Sequence, residues 1–101
     1  MKTTFKVEDN NYVMYFEGRL DTAVSAVVQK EVGVLNDCEG HDIILDCTNL
    51  TYISSSGMRI FLNILKNAKA KNTHVYIRNV SDDIYSVLSI TGFTNIFDFI
   101  Q

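Results

Sequence analysis

The stretch that most constrains this chain runs from Ile43 to Leu65, IILDCTNLTYISSSGMRIFLNIL. A short apolar run (Ile43, Ile44, Leu45) ends at Asp46, and a polar, hydroxyl-rich connection follows. A small apolar island (Tyr52, Ile53), three consecutive serines, Gly57 and a helical apolar pattern complete the segment. The continuous apolar run reads as a central strand buried on both faces. Ser54, Ser55 and Ser56 stand where a helix begins, so their hydroxyls can satisfy the orphan N–H groups of its first turn. A hydroxyl there can also accept a phosphate, because the positive end of the helix dipole tolerates negative charge.

The flanking segments alternate in the same way. Phe5 and Val7, then Tyr12–Phe16, predict two strands joined at Asp9-Asn10-Asn11, an N-terminal β-hairpin. Gly18 to Thr22 ends the second strand and opens a helix, with Asp21 or Thr22 as N-cap. Val24, Val27, Val28, Val32 and Leu35 recur along it at helical spacing. So many valines favour helix poorly, so tertiary packing must hold the element. After the serines, Met58, Phe61, Leu62, Leu65 and Ala68 give an amphipathic helix, with Ile60 and Ile64 widening its stripe and Asn72 as its stop. Thr73–Ile77 reads as a strand, Ser81 as the N-cap of a shorter helix (Ile84, Val87, Leu88, Thr91), and Gly92 as its terminator. Phe93 to Ile100 supplies a last strand. The order ββαβαβαβ implies an α/β fold, a small mostly parallel sheet with right-handed crossovers and helices covering mainly one face.

At 101 residues the chain is expected to form one domain, 1–101, with a single modest core. A formal net charge of -3 gives no basic patch, so direct nucleic-acid binding and anionic membrane surfaces are disfavoured. No apolar run approaches the roughly 20 residues needed to span a bilayer. The start, MKTTFKVEDN, has no apolar core of a signal peptide, which makes the cytoplasm the expected location. Cys38 and Cys47 are too few for a disulfide framework or a zinc site and read as small buried hydrophobes. No metal or other cofactor is expected. Exposed edge strands permit a monomer or a weak dimer.

Catalytic roles for the serines are disfavoured. A serine nucleophile needs a base in reach, and His41 and His74 both fall at the N-terminal edges of strands, whereas sites in parallel sheets form at the carboxyl ends. No G-x-S-x-G elbow and no phosphate-binding loop with its lysine is present. For an enzyme, only Asp21 and Asp46 could supply acid–base chemistry near Ser55. The plain alternative is that the serines only cap a helix. The five tyrosines, Tyr12, Tyr15, Tyr52, Tyr76 and Tyr85, read as core or boundary residues.

Two separated segments, G-R-L-D-T at Gly18–Thr22 and L-D-C-T-N-L-T-Y-I-S-S-S-G-M-R at Leu45–Arg59, resemble the STAS domains of bacterial anti-sigma factor antagonists. In that family a G-E-L-D segment opens the first helix, and a strand ending L-D leads through a hydroxyl-containing turn and D-S-S/A-G into the next. Segment order, spacing and length agree over essentially the whole chain. The resemblance implies a binding module rather than an enzyme. It places the phosphoacceptor on Ser55, with Ser54 as second candidate. It also places partner contacts on Asp21, Thr22, Ser54, Ser56, Gly57, Met58 and Arg59. The implied partners are an anti-sigma factor that is also a serine kinase, and a phosphatase that resets the switch. A second reading within the family is a subunit that docks on the ATPase of a lipid-transporting ABC system. The chain departs from the pattern at Ser54, where the family usually has Asp, and at Gln101, beyond which many relatives continue into a further helix.

Overall fold

A computed structural model describes residues 1–101 as five strands in the spatial order β1-β2-β3-β4-β5, with three α-helices between them. β1 (Lys2–Glu8) and β2 (Asn11–Leu20) form the antiparallel hairpin. Its turn is Asp9-Asn10 alone, both with positive φ (50° and 67°), as a two-residue hairpin turn matched to strand twist requires. Asn11 therefore belongs to β2. β3 (Ile43–Ile53), β4 (Val75–Arg78) and β5 (Asp98–Ile100) then add in parallel.

Because each parallel strand is laid beside its predecessor in one direction, right-handed crossovers put all three helices on the same face. That face carries the core: Met14, Phe16, Leu45, Cys47 and Ile77 meet the helices α1 (Thr22–Glu31), α2 (Ser55–Ala70) and α3 (Asp82–Ile90). The α/β class, hairpin and one-sided helix layer agree with the sequence expectation. No helix is long and apolar enough to cross a membrane.

Several local expectations are corrected. The strand through Ile43–Leu45 does not end at Asp46 but runs to Ile53. Beyond Asp46 it has β2 as its only neighbour, since β4 stops at Arg78 opposite Asp46. One-sided pairing leaves Thr48, Asn49, Thr51 and Tyr52 in solvent, which is why this part reads as a polar connection. In α1 the inward line is Val24 and Val28, and Val27 is 61% exposed. Val32 and Leu35 are buried by a following 3-10 turn, Val32–Asn36, rather than by the α-helix. In α2 the buried centre is Ile60, Phe61, Ile64, Leu65 and Ala68, while Met58 and Leu62 flank it. Asn72 (φ 58°) and Gly92 (φ 84°) follow α2 and α3 in the left-handed conformation expected of helix stops. Thr73 precedes β4 as a buried residue whose hydroxyl meets the Ala68 carbonyl oxygen at 3.4 Å. Of the tyrosines expected in the core or at its boundary, Tyr52 and Tyr85 lie at the outer side, 40% and 42% exposed, and Val87 and Ile96 are exposed as well.

Candidate functional site

The single-paired end of β3 delivers the three serines to the rim of the molecule, and each ends in a different environment. Ser54 is the N-cap of α2: its backbone is extended and its hydroxyl accepts from the Gly57 N–H at 3.1 Å. Its own N–H donates to the Leu20 carbonyl oxygen at 2.9 Å, which ties the cap to the end of β2. Ser55, the first residue of α2, is exposed. Ser56 is half-buried and lines a shallow cleft of about 200 Å³ between α1 and α2, with Ser25, Gln29 and Arg59.

Gly57 explains how closely α2 approaches the sheet. A Cβ at this position would lie 2.7 Å from Leu20 Cγ and 3.0 Å from Ile53 Cγ1, so a side chain would push the first turn off the ends of β2 and β3. Met58 is half-buried, 3.7 Å through its sulfur from the Thr91 hydroxyl at the end of α3. Arg59 is exposed and enters none of the ion pairs of the fold.

The neighbouring helix start is built the same way. Asp21 is the N-cap of α1, its carboxylate accepting from the Val24 N–H at 3.3 Å, and Thr22 is the first helical residue and exposed. The other carboxylate oxygen of Asp21 lies 4.0 Å from Arg19 Nε. Arg19 in turn lies over the Tyr52 ring, its guanidinium carbon 4.2 Å from the ring centroid. Neither Arg19 nor Tyr52 stands out in the sequence as part of the site. What brings them together is a register shift in the β2–β3 pairing between Gly18 and Arg19, where Gly18 takes a φ of 101°. That irregularity sets Arg19 opposite Tyr52 instead of Thr51, and nothing in residue spacing announces it.

Other candidate groups fall away from this rim. Asp46 is seven residues before Ile53 on β3, roughly 23 Å along a strand. It is 4% exposed and bonded to Arg78 Nε at 2.7 Å and to the Thr48 N–H at 3.0 Å. Burial alone would raise its carboxyl, but the hydrogen bonds from Arg78 and Thr48 outweigh that and hold it below the ordinary value. It is a structural carboxylate, out of reach of Ser55. His41 and His74 lie at the opposite edge of the sheet, beside the starts of β3 and β4; His41 stacks on Tyr12 and contacts the Asn10 carbonyl oxygen at 2.7 Å. Both cysteines are buried, and burial together with Asp46 pushes the Cys47 thiol far up, so it is inert as a nucleophile. The largest cavity, about 510 Å³, is lined by Asn79, Val80, Asp82, Tyr85 and Phe99, on elements that contribute none of the rim residues.

A five-stranded sheet with a leading hairpin, one helical layer and a serine-capped helix start beside an Asp-capped one define a small α/β domain. The STAS domain family matches residues 2–101, and the chain belongs to that family. An anti-sigma-B factor antagonist of Listeria monocytogenes is 22% identical over 94 residues, covering 92% of this chain and 82% of that protein. Among solved structures, an anti-sigma-factor antagonist (STAS) domain protein from Planctomyces limnophilus superposes with a TM-score of 0.84 at 16% identity, covering 96% of this chain and 86% of that one. The anti-sigma factor antagonist SpoIIAA has structures in an unphosphorylated form (TM-score 0.74, 16% identity, 99% and 87% coverage) and a phosphorylated form (0.73, 17%, 99% and 92%). At these identities the structural likeness establishes the fold.

Proposed function

We propose that this chain is an anti-sigma factor antagonist gated by phosphorylation of Ser55. The observation that carries the reading is the division of roles among three adjacent serines. Ser54 commits its hydroxyl to the helix cap, Ser56 turns toward α1, and Ser55 leaves an exposed hydroxyl at the positive end of a 16-residue helix. Ser55 therefore takes precedence over Ser54 as acceptor.

Unphosphorylated, the domain presents Asp21, Thr22, the serine cap and the start of α2 with Met58 and Arg59 to an anti-sigma factor, freeing the sigma factor. That partner doubles as a serine kinase, and a phosphatase resets the switch. A phosphate on Ser55 adds about -1.5 to -2 charges. In the free domain the α2 dipole stabilises it, by about 0.3–1 kcal/mol at an exposed site. In the complex the same charge has to be desolvated, at about 3–5 kcal/mol if it finds no partner. Asp21 adds repulsion, though Arg19 at 4.0 Å offsets part of it. Desolvation is thus the larger effect, and phosphorylation ejects the domain without refolding it.

The test is intact-mass analysis after incubation with ATP and the host's anti-sigma factor. The expected result is a gain of one phosphoryl group, retained in Ser54→Ala and lost in Ser55→Ala. Ser55→Ala should bind the anti-sigma factor constitutively and Ser55→Asp at least about tenfold more weakly, a difference of about 1.4 kcal/mol. Equal affinities of the two variants, or phosphorylation surviving in Ser55→Ala, would overturn the proposal. Co-purification with an ABC-transporter ATPase, without any modification, would put the docking-subunit reading in its place.

A further inference from the structure

We infer that Arg19, seated on Tyr52, is a specificity-determining anchor of the docking face and that it takes a carboxylate supplied by the protein partner. The inference rests on the reading that the serine rim binds an anti-sigma factor.

Three observations carry it. First, the guanidinium is held in place before any partner arrives. Its central carbon lies over the Tyr52 ring, 4.2 Å from the centroid, and its Nε lies 4.0 Å from the Asp21 carboxylate. A cation fixed by stacking and an ion pair loses less rotamer freedom on binding than a free surface arginine. Second, its bonding capacity is unspent. The contact with Asp21 is beyond hydrogen-bond length, no other carboxylate lies within ion-pair distance, and the Arg19 side chain is 62% exposed. The two terminal nitrogens therefore offer the parallel donors that a carboxylate accepts in bidentate fashion. Third, the position is continuous with the serine rim. Leu20, the next residue, accepts the Ser54 N–H, and Tyr52 is two residues before Ser54 on β3.

Arginine and tyrosine are both over-represented among the residues that dominate interface energetics. The fold also contains a specific device to build it, the Gly18 register shift that brings Arg19 across from Tyr52. A partner matched to Arg19 presents a carboxylate there, and like-charge juxtaposition rejects one that presents a cation instead. Arg59 differs in kind: it is unpaired and unstacked, and so carries no comparable preorganisation.

The experiment measures calorimetric binding of the purified anti-sigma factor to the full chain and to Arg19→Glu, Arg19→Lys and Tyr52→Ala. Arg19→Glu is expected to weaken binding by tenfold or more with melting unchanged, Arg19→Lys and Tyr52→Ala by several-fold. An acid-to-lysine substitution on the partner is expected to restore binding to Arg19→Glu. If the unaltered chain does not bind, the switch reading falls and this inference with it. If it binds, but Arg19→Glu binds equally well, only this inference falls. A second arm uses the chain phosphorylated at Ser55 and follows the phosphate titration by ³¹P NMR. Its midpoint should be unmoved in Arg19→Gln; a rise would assign Arg19 to the phosphate within its own chain and overturn the partner-carboxylate assignment.

Discussion

Three chemically identical residues, Ser54, Ser55 and Ser56, are separated only by where the helix axis places them. Ser54 sits one step outside α2 in extended conformation, so its oxygen can fold back on the Gly57 N–H; Ser55, one step inside, cannot. Stability and switching should therefore separate cleanly by mutation. Ser54→Ala is expected to lower unfolding free energy by about 1 kcal/mol, the usual loss for an N-cap, while leaving Ser55 a phosphoacceptor. Ser55→Ala should stay within about 0.5 kcal/mol of the original protein, because its side chain supports nothing in the free domain. Denaturant midpoints at constant slope would show it. Three serines in a row predict a cap without fixing which of them provides it, since a helix start is defined only to within one or two residues until backbone angles are known. Arg19 was invisible for a different reason. A polar residue near a strand end is unremarkable, and only the register shift makes it the neighbour of Tyr52.

At the scale of elements, the joint between β3 and α2 is set by the missing side chain of Gly57. Alanine is the better helix former by about 1 kcal/mol, which by itself would predict stabilisation. The added methyl would meet Leu20 Cγ at 2.7 Å, a branched atom of a fully buried side chain that cannot swing away. Overpacking of this kind costs about 1–3 kcal/mol, so Gly57→Ala is expected to be neutral to destabilising and never stabilising. Its second consequence is diagnostic. Displacing the first turn of α2 lengthens the Gly57–Ser54 bond, so amide exchange at Gly57 and Met58 should quicken more than at Ile64 or Leu65. A uniform change along the helix would mean that the joint is not the point of strain. The helices themselves were legible because 3.6-residue apolar spacing and stop residues such as Asn72 and Gly92 are local signals. The second half of β3 was not. A strand with one neighbour keeps an outer edge and much of its surface in water, and Thr48, Asn49 and Thr51 are chosen for that exposure rather than for burial.

For the molecule as a whole, putting every helix on one side leaves the other face of the sheet to the buried pair Val13 and Ile44 and a set of polar side chains. There Asp46 on β3 and Arg78 on β4 form a pair at 2.7 Å, with Glu8 of β1 at 3.6 Å from Arg78 and the Tyr15 hydroxyl of β2 bonded to both Glu8 and Arg78. Four strands are thus cross-tied by one guanidinium. The Asp46 carboxyl is held below its ordinary value in the folded state, so its contribution is complete above the unfolded carboxylate range, near pH 4, and is lost as pH falls through the lower folded value. Replacing Arg78 by Met reverses that sign. Asp46 then keeps its burial but loses its main counter-charge, its carboxyl is pushed up, and the cost at neutral pH should be about 3 kcal/mol for an uncompensated buried charge. Acidification neutralises Asp46 and removes the penalty, so the deficit of Arg78→Met relative to the original protein should shrink as pH drops from 7 toward 4. Asp46→Asn in the same chain should recover much of the loss at pH 7, since the pair rather than either member is what matters. Melting curves of the three proteins across that pH range decide the point. A deficit that does not vary with pH would show that Arg78 acts through the packing of its aliphatic stem, and that the bare face of the sheet is not held by charge.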